Sequence, residues 1–138
     1  MAANLTDNAA SQTAMTQSST GKPPQFQGGP NIALKLPPSV FDATLTFYRD
    51  TLRLPLLDQY SPSHVVQFGE SLLWLDRVES LSQAEVWLQI LTDDTAAAKE
   101  HFARSSVTRC DEIEGLPEGF DGFWVLSPSS IVHLVSNE

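Results

Sequence analysis

The sequence predicts an α+β fold in which one strand–helix–strand–strand–strand unit occurs twice within a single domain. Two observations lead to this prediction. First, residues 31–138 divide into two modules, about 31–80 and 84–138, in which strand-like alternation and helix-like periodicity follow in the same order. Second, clusters of Pro, Gly and Ser separate the strand-like segments of each module. A chain of 138 residues suits one such domain rather than two.

The first module opens with the alternating strand Asn31–Leu36, which Pro37 and Pro38 end. Ser39 is positioned to cap a helix that ends near Arg53. Its apolar residues recur at spacings of three and four and form one apolar stripe: Phe41, Leu45, Tyr48 and Leu52. Three extended segments are predicted after this helix, over 56–60, 64–68 and 71–77.

The second module repeats this order. Residues 85–91 alternate as a strand, and Thr92, Asp93 or Asp94 is positioned to cap an Ala-rich helix over 95–105. Strands are then predicted over 108–113, 120–126 and 131–136.

Residues 1–30 contain few large apolar side chains and end in a stretch rich in Pro and Gly. Such a segment buries too little apolar surface to offset the entropy lost on ordering. We therefore expect a disordered leader over 1–30. The alternative is that Phe26 and its neighbours pack on the body or on a partner chain.

Charge and composition exclude several classes of function. The formal net charge of −9 repels polyanions, so no nucleic-acid partner is expected. A single cysteine, Cys110, allows no internal disulfide, which is typical of a cytoplasmic protein. Asp111 and Glu112 beside this cysteine oppose any activation of its thiol by Arg109. No apolar run reaches the about 18 residues of a membrane-spanning helix, so no membrane partner is expected.

Three segments, in their order and spacing, resemble a known superfamily. They are Asn31-Ile-Ala-Leu-Lys-Leu36, the helical Phe47-Tyr48-Arg49-Asp50-Thr51-Leu52, and Phe123-Trp-Val-Leu-Ser-Pro-Ser-Ser-Ile-Val-His-Leu134. The sequence is similar to the vicinal oxygen chelate superfamily, which includes lactoylglutathione lyases, bleomycin-resistance proteins and extradiol dioxygenases. The resemblance implies two βαβββ modules whose curved mixed sheet surrounds a cup, with ligands or metals bound inside, and a homodimer.

Strand alternation then indicates which side chains face the implied cup. If Ile32, Leu34 and Leu36 pack on the helices, the residues between them face the other way. The same rule on the other strands completes a set of eight expected ligand-binding residues: Asn31, Lys35, Trp74, Asp76, Glu85, Trp87, Gln89 and His133.

The superfamily's enzymes hold a divalent cation with His and Glu side chains from four strands. The matching positions of this sequence carry Asn31, Trp74, Glu85 and His133, and a tryptophan has no lone pair for a metal. We therefore expect neither a metal nor another cofactor. A hydrogen-bonded pair of His133 and Glu85 is expected instead, and these two residues are the candidates for acid–base catalysis.

The expected lining favours one class of ligand. The indoles of Trp74 and Trp87 attract cations and stack on flat rings, and Glu85 and Asp76 add complementary charge. The favoured interpretation is a small-molecule-binding protein of the bleomycin-resistance type, which encloses an aromatic or cationic ligand without a catalytic metal. Two alternatives stay open: a metal-dependent lyase or isomerase resembling lactoylglutathione lyase, and a regulatory or interaction module whose cup is filled by its own side chains.

Overall fold

The computed structural model describes residues 22–138, so most of the expected leader lies outside the described residues. Within that range, eight strands form a mixed sheet accompanied by two α-helices, which confirms the predicted α+β class. The described chain divides into two compact units. The first is residues 30–87, and the second is residues 88–138 with residues 22–29.

In chain order the elements are β1 (Phe26–Gly28), β2 (Asn31–Leu36), α1 (Pro38–Thr46), β3 (His64–Phe68), β4 (Ser71–Arg77), β5 (Glu85–Thr92), α2 (Thr95–Arg104), β6 (Thr108–Arg109), β7 (Gly122–Leu126) and β8 (Val132–Ser136). Strand β5 spans the boundary between the units, which falls after Trp87.

In the first unit, β2 lies between β4, which is parallel to it, and the start of β5, which is antiparallel. Strand β3 pairs antiparallel with the other edge of β4. One face of these strands packs on α1, where Phe41 and Leu45 are buried together with Leu36 of β2. Ile32 and Leu34 pack against the same core, as the alternation of β2 predicts.

The start and the end of α1 differ from the prediction. Pro37 occupies the N-cap and Pro38 the first turn, where the fixed φ of proline suits a helix, and Ser39 provides no cap. The helix continues into a π-helical turn over Phe47–Thr51, in which the Leu52 amide donates to the Phe47 carbonyl at 2.9 Å. This wider turn rotates the apolar stripe, so Leu52 is 45% exposed.

In the second unit, β8 pairs parallel with β5 and antiparallel with β7, and β6 adds to the far edge of β7. The buried Ala98 of α2 packs on a cluster formed by Phe123, Val125 and Val135. Asp94 is the cap among the three predicted candidates, because its carboxylate accepts from the Ala97 amide at 3.0 Å. None of the helices in residues 22–138 is both long enough and apolar enough to cross a membrane.

Three predicted segments are wrong in part. In the predicted strand over 56–60, only Leu56 forms a bridge, to Val66, and Asp58–Tyr60 forms a turn of 3₁₀-helix. The end of the expected leader is ordered: β1 pairs antiparallel with β5, and the Phe26 ring stacks on Phe102 with centroids 5.1 Å apart. The predicted strand 108–113 is shortened to β6, because residues 111–113 form a turn of 3₁₀-helix. The Asp111 carboxylate then accepts from the Trp124 amide at 3.1 Å, which holds this turn against β7.

Candidate functional site

Six of the eight expected ligand-binding residues lie on one face of the sheet in the first unit. The strand register places Ala33 beside Trp74 and Trp87, and it places Lys35 beside Asp76 and Glu85. Neighbouring residues in register point to the same side of a sheet. We call this surface the polar face; its members are Asn31, Lys35, Trp74, Asp76, Glu85 and Trp87.

At one end of the polar face, Trp74 is completely buried. Its indole Nε1 donates to Asn31 Oδ1 at 2.8 Å, and the ring of Tyr60 lies 5.2 Å away between centroids. The one polar atom of this indole is therefore satisfied in the interior. Sequence reasoning missed Tyr60, because a strand was predicted over 56–60 where the structure forms a turn of 3₁₀-helix.

At the other end, Lys35 is a buried cation. Its Nζ lies 2.7 Å from Asp76 Oδ2 and 4.2 Å from the centre of the Trp87 ring, and only 3% of its side chain is exposed. A buried ammonium is costly unless it is paired, and here a carboxylate and an aromatic face both compensate it.

Glu85 brings a second carboxylate to this end. It is exposed, and its Oε1 accepts a hydrogen bond from Trp87 Nε1 at 3.0 Å. Trp87 itself is 6% exposed. Since Asp76 neutralises Lys35, the negative charge of Glu85 is left in excess on the polar face.

The remaining two expected residues, Gln89 and His133, lie in the second unit, and the prediction that they share a face is wrong. Gln89 is buried, donates to Ser136 Oγ at 3.2 Å and lies on the same side as Leu134. His133 is paired with Val125 on the opposite side, which carries the core beneath α2. Alternation gave no guide here, because Leu134, Val135 and Ser136 are all buried.

Glu85 and His133 make other hydrogen bonds than the pairing expected of them. His133 Nδ1 donates to the Ile131 carbonyl at 2.9 Å, and Glu85 accepts from Trp87. A backbone carbonyl only accepts, so Nδ1 carries the proton in this bond.

The thiol of Cys110 is held in its neutral form. Burial raises the pKa of Cys110, and the nearby carboxylates of Asp111 and Glu112 raise it further against the opposing effect of Arg109. A raised pKa leaves little of the nucleophilic thiolate at neutral pH.

Comparison with known proteins rests on structure alone, since neither a protein-family profile nor a curated protein matches this sequence. An Mn(II)-bound glyoxalase from Novosphingobium aromaticivorans matches with a TM-score of 0.59 and 15% identity over 82% of this chain. This chain spans only 39% of the length of that glyoxalase. A hypothetical protein from Bacillus halodurans matches with a TM-score of 0.53 and 14% identity, over 83% of this chain and 94% of its own.

A third match decides the assignment. It is a member of the glyoxalase/bleomycin resistance protein/dioxygenase superfamily from Vibrio splendidus, with a TM-score of 0.50 and 11% identity, over 79% of this chain and 97% of that one. The chain has the glyoxalase/bleomycin-resistance fold. The fold class expected from the resemblance is thus confirmed in the structure.

The donors of this chain do not fit the divalent cation that the glyoxalase/bleomycin-resistance fold implies. Asn31 Oδ1, at the first matched position, accepts from the indole of Trp74, at the second. His133, at the fourth position, lies on the helix side of its sheet. Among residues 22–138, no three His, Cys, Asp or Glu side chains are grouped so that they could hold a metal ion.

Proposed function

We propose that this protein binds an organic cation with an aromatic body at the polar face of the first unit. One observation carries the proposal: the exposed carboxylate of Glu85 lies at the indole of Trp87, on a face where Asp76 already neutralises the single ammonium. The proposed site is therefore anionic and aromatic at once.

The charges of the polar face select between cations and anions. An anionic ligand would meet the carboxylates of Asp76 and Glu85 and a protein of net charge −9. A cation beside an indole gains about 0.5–1 kcal/mol at an exposed site and about 2 kcal/mol when it is desolvated. An aromatic body would contact the exposed edge of Trp87, which is 6% exposed and has Lys35 Nζ over its ring.

In this proposal the protein binds its ligand without catalysing a reaction. The lyase or isomerase alternative requires donors for a metal, and two of the four matched positions hold Asn31 and Trp74 bonded to each other. Sequestration of a ligand requires only the aromatic and carboxylate groups already described.

Calorimetric titration with benzyltrimethylammonium, with benzyl alcohol as the uncharged comparison, tests the proposal. We expect the cation to bind more tightly, and E85Q to weaken it about two- to fivefold while leaving benzyl alcohol unchanged. E118Q removes an exposed carboxylate in the second unit and serves as the matched control. Equal affinity for the two probes, or no difference between E85Q and E118Q, would overturn the proposal.

A second candidate function is the interaction module with a filled interior. It is favoured by the complete burial of Trp74 and by the internal partners of Asn31 and Lys35, which satisfy the polar face without a ligand. Failure of both probes to bind, together with a dimer or a larger complex in analytical ultracentrifugation, would support this candidate over the first.

A further inference from the structure

We propose that the second unit has a separate binding site for a neutral aromatic molecule that carries a hydroxyl group. A pocket of about 490 Å³ opens there on the helix side of β7 and β8. Its apolar walls are Ile90, Phe102, Val107, Val125 and Leu126. The polar face lies entirely in the first unit, so this inference does not depend on the function proposed above.

The size and the walls of this pocket suit an aromatic body. Ligand pockets in proteins usually enclose about 300–1,000 Å³ and are lined mainly by apolar side chains. Phe102 is partly buried in the core, and Val125 is buried there. Ile90 and Val107 pack against the same core, so the apolar walls belong to one packed cluster beneath α2.

His133 brings a directed acceptor into the pocket. Because its Nδ1 donates to the Ile131 carbonyl at 2.9 Å, the neutral imidazole has its lone pair on Nε2. His133 lines the pocket, so this lone pair is the hydrogen-bonding group that its side chain offers to a bound molecule. A hydroxyl or similar donor on the ligand is its natural partner.

The rim of the pocket is not built for an anion. The amides of Ser105, Ser106 and Val107 donate to carbonyls in the last turn of α2, and the Ser130 amide donates to the Ser127 carbonyl. These donors are therefore already used. Of the described residues that line the pocket, none is Lys, Arg, Asp or Glu, which favours a ligand without charge.

Titration with 2-naphthol and with 2-methoxynaphthalene tests this inference, because the two share a ring system and only the first has a hydroxyl donor. We expect 2-naphthol to bind more tightly to the full chain. H133A should weaken 2-naphthol about three- to tenfold, the usual range for one hydrogen bond, and leave 2-methoxynaphthalene unchanged. H64A removes a histidine of the first unit that does not line this pocket, so it is the matched control and should change neither affinity.

Two further measurements locate the site. T108W places a large ring at an exposed position of the pocket wall. Because this ring should fill the pocket, we expect the variant to lose the binding of both probes. When the unmodified protein is titrated with 2-naphthol, the amide chemical shifts of Val107, Leu126 and His133 should change. This measurement uses no variant, so it tests the site even if a variant fails to fold. Shifts confined to the polar face, or unaltered 2-naphthol binding in folded T108W, would overturn the inference. E85Q should leave 2-naphthol unaffected, so failure here is distinct from failure of the proposed cation site.

Discussion

The hydrogen bond between Trp74 and Asn31 joins two buried side chains of the polar face. The indole is completely buried, and its single donor has its acceptor at 2.8 Å. Leaving such a buried donor unbonded costs about 1–3 kcal/mol. Asn31 therefore serves the stability of the first unit.

We expect N31A to lower the free energy of unfolding by about 1–3 kcal/mol, because Trp74 Nε1 loses its acceptor. Urea denaturation measures this loss. W74F removes the donor as well, so the double variant should lose less than the sum of the two single losses. Strict additivity would show that the hydrogen bond contributes nothing.

The thiol of Cys110 should react slowly in the folded protein. Since burial raises the pKa of its thiol, less thiolate is present at any pH below that pKa. We expect reaction with Ellman's reagent at pH 8 to be slower in the folded protein than in urea. E112Q removes one carboxylate that raises the pKa of Cys110 and should speed the folded-state reaction; R109Q should slow it. Reversal of these two effects would contradict the assigned causes.

Each α-helix begins in its own way. Asp94 caps α2 through the Ala97 amide, whereas α1 begins at Pro37 and Pro38 without a side-chain cap. A capping side chain stabilises a helix by accepting hydrogen bonds from the amides of the first turn.

We therefore expect D94A to lower the free energy of unfolding by about 0.5–2 kcal/mol. S39A is the matched control, and it should change stability by less than about 0.5 kcal/mol, since Ser39 provides no cap. Thermal or urea denaturation of both variants measures the difference. Equal losses in the two variants would contradict this account of the helix starts.

Over the whole chain, acidity dominates. The formal net charge is −9, and ten of the seventeen Asp and Glu residues fall within residues 81–138. Like charges destabilise a compact state by mutual repulsion, and salt screens this repulsion beyond a Debye length of about 10 Å at 0.1 M.

We expect the urea midpoint to rise when sodium chloride is increased from low to moderate concentration. A variant with E100Q, E112Q and E118Q changes three exposed acids, so its net charge is −9 + 3 = −6. Its midpoint should be higher at low salt and should rise less with added salt. An identical salt dependence in both proteins would show that self-repulsion is not the cause.

Local sequence patterns predicted the α+β class, the repeated order of elements and the alternation of β2, because each of these depends on residues a few positions apart. The residues of the polar face were predicted for the same reason, since successive side chains of β2, β4 and the start of β5 point to opposite sides of the sheet. The cap at Asp94 was one of three candidates, and local residue types alone do not choose among them.

Long-range contacts decided the rest. Phe26 is ordered because its strand pairs with β5 and its ring stacks on Phe102. The apolar stripe of α1 ends early because a π-helical turn changes the phase of the helix. The direction of His133 depends on pairing with β7 in a strand buried on both sides. Polar residues at Asn31 and Lys35 marked one side of β2, whereas Leu134, Val135 and Ser136 of β8 give no such pattern. The pairing of β8 with β7 therefore decides which way His133 points.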